Sequence, residues 1–282
     1  MAIKEILVHV DDGARAGLAI DLAAELAKRS GAHLAGLFLG TTPIGPYLMA
    51  AELPASFWEA EAQKLEQRMA AAERLFRSRV GPTGLSNEWR ASRAVPADLG
   101  RVAAEHARYA DLTVVGQPDP DAPESIGLMT EAVEELVLDA GGPVLIVPYA
   151  GEFKDVGRRA MVAWNGSREA ARATRDALGI LRNGAEVVVM QINPPGRDHA
   201  HRDVPGVDIA HHLARHGLKT EAAHVVAEDM QVGDMILSRA ADAGADLIVM
   251  GAYGHTRLRE LVLGGATRHV LRHMTVPVLM SH

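Results

Sequence analysis

Short apolar runs alternate along the chain with longer segments in which apolar residues recur at helical spacing. The runs are rich in Val, Ile and Leu throughout, the pattern of strands buried on both faces of a parallel sheet. Strands are expected at residues 6–10, 33–39, 88–91, the run up to 116, and 144–147. A second series follows at 160–163, 186–191, 219–226, 247–251 and 276–280. The segments between them predict helices over 15–30, 97–109, 124–139, 169–181, 207–216 and 232–243, and a last one opening after Gly264. Ser167 is a candidate N-cap for the helix that follows it. One further helix is longer than the rest. Ser56-Phe57-Trp58-Glu59 matches a capping box, and Trp58, Ala62, Leu65, Met69, Ala72 and Phe76 then form one apolar face of a helix over 56–79. Strands alternating with helices imply parallel sheets built from right-handed crossovers, so the class is α/β.

The pattern occurs twice. Ala110-Asp111-Leu112-Thr113-Val114-Val115-Gly116 is echoed by Ala245-Asp246-Leu247-Ile248-Val249-Met250-Gly251, and Pro143-Val144-Leu145-Ile146 by Pro277-Val278-Leu279-Met280. Near the start of each half, Ile6 to Asp11 is echoed by Ala160 to Asn165. Asp11 and Asn165 are 154 positions apart but Gly116 and Gly251 only 135, so the first copy holds about 19 extra residues. The Pro/Gly-containing loop at 41–54 and the long helix account for most of them. Two tandem doubly wound domains are expected, at 1–149 and 157–282, joined by a short connector. A chain of 282 residues suits two domains that each bury a core.

Composition narrows the function. Hydrophobic residues are 48%, charged residues 23% and aromatics 4%, which suits soluble domains with aliphatic cores. A net charge of −7 and a pI near 6.0 point away from nucleic acid and anionic membranes. The absence of cysteine excludes disulfides, thiol catalysis and cysteine metal sites. The start of the chain turns polar too soon for a signal peptide, and no apolar run approaches the roughly 18 residues that span a bilayer. A cytoplasmic protein is expected.

The candidate chemistry lies in the last 38 residues, from Ala245. A strand ends in Gly251, Gly254 follows, and after nine residues Gly264-Gly265-Ala266-Thr267 opens a helix. Glycine lets backbone approach a ligand closely, and a helix start offers free N–H groups and a positive dipole end to a phosphate. This spacing resembles the nucleotide-binding signature of the universal stress protein family, in its ATP-binding branch. There the final glycine is followed by Ser or Thr, whereas Gly265 stands here. The resemblance implies five-stranded sheets in the order 3-2-1-4-5, an adenine nucleotide α-hydrolase-like fold, and a non-catalytic stress-response module binding ATP, with ADP or AMP as alternatives. It implies a site made of Ala163, Trp164, Asn165, Met250, Gly251, Tyr253, Gly254, His255, Gly264, Gly265, Ala266 and Thr267. Asn165 holds the place of the family's Asp at the end of the first strand, so an amide replaces a charge. Three roles are open to Trp164: stacking on a base, filling part of the pocket, or core packing. Met250 would line the adenine side, and Gly254 with residues 264–267 would surround the phosphates. Arg257 is a loop cation within reach of phosphate or simply solvated.

The first copy keeps Asp11 but has no pair like Gly264-Gly265. Pro118 and Pro120 remove N–H donors, and Asp119 and Asp121 repel phosphate, so this copy is expected to be silent. His212 and His216 have the spacing of two metal ligands on a helix, but no third ligand is fixed and no metal is expected. No nucleophile elbow, Walker lysine or paired acids mark an enzyme. The alternative readings are an interaction protein that has lost its ligand and, further off, a nucleotide α-hydrolase. The last strand of each copy is an uncharged apolar edge, and such edges invite pairing. Residues 143–147 are therefore expected to pair antiparallel with 277–281, giving an intrachain pseudo-dimer, with a further homodimer through Trp58 and Phe76 left open.

Overall fold

The computed structural model describes residues 2–13, 15–41, 54–118, 128–193, 206–227, 230–252 and 265–282. The chain divides into two compact units, Ile3–Ala140 and Gly141–His282.

The first unit runs β1 (Glu5–His9), α1 (Ala16–Ser30), β2 (His33–Thr41), α2 (Ala55–Val80), β3 (Asn87–Ala94), α3 (Leu99–Ala107), β4 (Leu112–Gly116) and α4 (Thr130–Asp139). Its strands are ordered β3-β2-β1-β4, and β1 lies parallel to both β2 and β4. Ile6, Leu7 and Val8 are at most 1% exposed, as the unbroken apolar run of β1 required. Helix α2 departs from expectation at its start. It begins at Ala55 behind an extended Pro54, whose φ is −63° and ψ 151°, and no side chain caps it. Ser56 thus lies inside the first turn, where its hydroxyl cannot serve as the cap. Of the expected apolar face, Leu65, Ala72 and Phe76 are buried, Trp58 and Met69 are half-buried, and Ala62 is exposed. Leu65 and Phe76 stand over Gly40 and Gly36 of β2, whose missing side chains make room for them. The helix expected from 124 starts only at Thr130, because Met129 is extended, with ψ 162°.

The second unit runs β5 (Val144–Val147), β6 (Arg159–Ala163), α5 (Arg168–Ala177), β7 (Glu186–Ile192), α6 (Val207–Arg215), β8 (Lys219–Val225), α7 (Val232–Asp242), β9 (Leu247–Gly251), α8 (Gly265–His273) and β10 (Val278–Ser281). The strands are ordered β5-β10-β9-β6-β7-β8. Strands β6 to β10 thus follow the expected 3-2-1-4-5 order, all parallel. At its end β5 pairs antiparallel with β10, with Leu279 opposite Leu145 and Met280 opposite Val144. All four residues of each of these two strands are buried, so the apolar edge of β10 is covered.

The repeated Asp of the two Ala-Asp-Leu segments has a structural task. Asp111 Oδ2 accepts from the backbone N–H groups of Lys4 at 2.7 Å and Glu5 at 3.0 Å. Asp246 accepts from those of Gly157, Arg158 and Arg159 at 2.8, 2.9 and 3.2 Å. Each carboxylate satisfies donors where the first strand of its repeat enters the sheet, donors that would otherwise depend on water.

Candidate functional site

In the second unit the chain leaves β6 towards β7 and β8, then returns to β9 and β10 on the other side. The order therefore reverses between β6 and β9, and open α/β sheets bind ligands outside the strand C-termini at such a point. Ala163 of β6 pairs with Met250 of β9, so the predicted residues at these two strand ends are neighbours. Trp164 continues the ladder by one bond, its N–H donating to Met190 O at 2.8 Å, and its side chain is half-buried. Asn165 is exposed. Its Oδ1 accepts from Ser167 N at 3.0 Å, across Gly166 at φ 75°, so the carboxamide closes the turn from β6 into α5. Ser167 is the N-cap expected, its hydroxyl accepting from Ala170 N at 3.1 Å.

Gly251 has a second reason to be glycine. A Cβ there would stand 2.3 Å from Ala170 N and 2.5 Å from Glu169 C, both backbone atoms of the first turn of α5. The end of β9 and the start of α5 thus touch backbone to backbone. Met250 is 5% exposed and belongs to the core as much as to the crevice.

Helix α8 opens at Gly265, with Ala266 half-buried and Thr267 at 4% exposure. Among the described residues, a Cβ at Gly265 would meet nothing within 4 Å. The helix is fixed to α7 by His269, whose Nε2 lies 2.7 Å from Asp234 Oδ1 and whose ring packs against Gly233. Tyr253, Gly254, His255 and Gly264, together with Arg257, lie outside the described residues.

Reading by residue type missed Glu169, the second residue of α5. Its side chain is 8% exposed, and its carboxylate takes a contact from the outward-lying Arg168. Burial pushes this carboxyl upward, but hydrogen bonds from its own backbone N–H, from Arg168 and from Ser167 outweigh it and hold it below its ordinary value. An acid two places after a Ser N-cap was the available signal.

In the first unit the matching point lies between β1 and β4. Asp11 Oδ1 accepts from Gly13 N at 2.8 Å, the same turn that Asn165 makes. Asp12 is held by Arg68 of α2, with contacts at 2.5 and 2.8 Å. His9 is 5% exposed; burial lowers its pKa, with Asp11 pulling the other way. Asp119, Pro120 and Asp121 lie outside the described residues. As for metals, the His212 and His216 rings stand 4.9 Å apart, and the described residues hold no group of three ligating side chains.

Comparison with known proteins agrees with this architecture. Residues 157–282 match the model of the universal stress protein family. A universal stress protein of Synechocystis is 25% identical over 171 residues, 60% of this chain and 57% of its own length. One from Methanocaldococcus jannaschii is 42% identical over 45 residues, 16% of this chain and 28% of its own length. The chain thus spans little more than half of the first of these curated relatives and less than a third of the second. Among solved structures, a universal stress protein of Archaeoglobus fulgidus superposes with a TM-score of 0.70 at 15% identity, over 98% of this chain and 95% of its own. One from Pseudomonas aeruginosa, described as a putative universal stress protein, gives 0.56 at 18% identity over 99% and 93%. These two show the fold alone. The second half of the chain thus matches the universal stress protein family model, and the whole chain shares the doubly wound fold of these solved structures. No helix among the described residues is long and apolar enough to cross a membrane.

Proposed function

We propose that the second unit binds one adenine nucleotide, ATP in the first instance, and that the protein is a nucleotide-responsive stress module whose first unit holds none. The observation that carries this reading is the reversal of strand order between β6 and β9, where Ala163 and Met250 are neighbours and the first turn of α5 lies against Gly251. The glycine spacing from Gly251 to Gly264, resembling the ATP-binding branch of the family, supplies the chemistry. In this reading the base lies towards Trp164 and Met250, Asn165 offers its NH2 group, and the phosphates lie at Gly265–Thr267 with the preceding glycines. The domains 1–149 and 157–282 are the functional units, and the protein acts in the cytoplasm.

Mass spectrometry of freshly isolated protein should find adenine nucleotide, at no more than one per chain. Absence of nucleotide, together with no heat of binding for ATP in calorimetry, would refute it. Gly265→Ser should tighten ATP binding, because it returns a hydroxyl where none of the described residues obstructs one. One neutral hydrogen bond of about 0.5–1.5 kcal/mol corresponds to a gain of roughly 2- to 10-fold. A second reading, assembly without ligand, is favoured by Gly265, which brings no hydroxyl to the start of α8. It predicts the empty protein.

A further inference from the structure

Helices α6 and α8 each carry two histidines one turn apart, and the two pairs are in opposite states. On α8 the pair is committed to the protein itself. His269 Nε2 lies 2.7 Å from Asp234 Oδ1, and His273 Nδ1 donates to His269 O at 2.9 Å. The two rings stack at 4.3 Å with 29° between their planes. Stacked in this way they turn faces, not lone pairs, towards each other.

On α6, His212 and His216 are also four positions apart, but among the described residues no hydrogen bond or ion pair reaches either ring. Their ring centres lie 4.9 Å apart and their planes are inclined by 66°. An imidazole that binds a metal points one ring nitrogen at it. With metal–nitrogen bonds of about 2.0–2.1 Å and each nitrogen about 1 Å from its ring centre, two imidazoles at a tetrahedral angle have centres roughly 5 Å apart. The α6 pair already has that separation, so sharing an ion needs at most a rotation of the rings.

The backbone beneath the pair is held in place. Ala210 and Leu213 of α6 are buried, and Thr220 Oγ1 of β8 donates to Ala210 O at 3.0 Å. Gly217, at φ 81°, closes the last turn by donating its N–H to Ala214 O at 2.9 Å. His216 is exposed and His212 half-buried. A pair of ligands on an anchored helix is preorganised. Neutral imidazole suits zinc, nickel and copper, whereas magnesium and calcium take oxygen ligands. The chain has no cysteine to compete for such an ion.

We propose that His212 and His216 form a surface site for one late first-row divalent cation, zinc, nickel or copper, with water in its remaining positions. The spacing alone predicted no metal, for want of a third protein ligand. Two ligands and water make an exchangeable site rather than a structural one. The pair faces a common ion only while its turn is helical, so the ion binds the folded state and protects α6 against opening. The site is independent of the nucleotide reading.

The test is calorimetry of the full-length protein, without a histidine tag and without nucleotide, against ZnCl2, NiCl2, CuCl2 and MgCl2. Wild type, His212→Gln, His216→Gln and His211→Gln are compared. Wild type should bind copper most tightly, then nickel and zinc, and give no heat with magnesium. His212→Gln and His216→Gln should each weaken binding by at least about 10-fold, since losing even an outer partner of a ligand costs that much. His211→Gln, on the same helix but outside the pair, should change nothing. Hydrogen exchange of the wild type needs no variant: zinc should slow the amides of α6 and leave those of α8 as they were. A wild type that binds none of the three ions would overturn the proposal. So would affinity unchanged in His212→Gln and His216→Gln, an equal loss in His211→Gln, or zinc that protects α8 and not α6.

Discussion

Gly251 and Gly116 occupy the same position of the repeat, and their surroundings predict opposite responses to one methyl group. At Gly251 an added Cβ would lie 2.3 Å from Ala170 N, 2.5 Å from Glu169 C and 2.9 Å from Ala170 Cα. All three are backbone atoms, so no rotamer change relieves the contact. Either the first turn of α5 lifts or the end of β9 shifts. Overpacking of this kind costs typically about 1–3 kcal/mol. In a unit of this size each kcal/mol lowers the melting temperature by about 2–4 °C, so Gly251→Ala should lose roughly 2–12 °C. At Gly116 the same Cβ meets nothing within 4 Å among the described residues. There Ala removes the entropic cost of a strand glycine, about 0.5–1 kcal/mol, so Gly116→Ala should be neutral or slightly stabilising. Thermal unfolding by circular dichroism reads both. Hydrogen exchange assigns the loss to a unit, and in Gly251→Ala the amides of α5 and β9 should lose protection first. Equal melting temperatures for the two variants would refute the packing argument and leave ligand contact as the only reason for glycine at 251.

The repeated aspartates offer a second matched pair. Asp246→Ala strands three backbone N–H groups that water can partly satisfy and should cost about 1–3 kcal/mol, with Asp111→Ala losing less because it holds two; urea unfolding measures both. Buried His9 should make the first unit sensitive to acid. Its folded pKa lies below 6.5, so the unfolded state binds the extra proton, and stability falls as pH drops below about 6.5 until the folded pKa is reached. His9→Phe should flatten that stretch of a stability–pH curve, and an unaltered slope between pH 7 and pH 5 would show that His9 is not its source.

Elements made of local signals were legible in the sequence. The four residues of β5 are those expected, because Pro143 and Pro148 bracket an unbroken apolar run. Ser167 is the cap its type and place suggested. The start of α2 was misjudged because Ser56 and Glu59 fit a capping box by type, while Pro54 fixes an extended entry one residue earlier. Long-range contacts left no such trace. The repeated Asp111 and Asp246 could be seen as a repeat, but their task depends on N–H groups about a hundred residues away in sequence. Gly251 read as a ligand glycine, and only the fold shows α5 against it. Glu169 passed unnoticed because an acid near a helix start is usually a solvated dipole partner, and its burial is set by the tertiary fold.

The replacement of Asp by Asn at the end of β6 follows from the same local chemistry. Asp11 and Asn165 both use Oδ1 to accept an N–H two residues on, from Gly13 and Ser167. That turn needs an oxygen and no charge, so either residue builds it. The charge matters only for what lies around the turn. In the first unit Asp11 is followed by Asp12, and Arg68 of α2 is there to balance the pair. In the second unit the turn is followed by Gly166 and Ser167, and the anion at the start of α5 is already Glu169, buried and held ionised by its neighbours. An Asp at 165 would set a second carboxylate four positions from the first, where a like charge is unfavourable. Asn165 keeps the turn, adds two donors and adds no charge beside Glu169. The amide is thus compatible with an anionic ligand in the crevice, and loss of the family's Asp does not by itself argue for loss of the site.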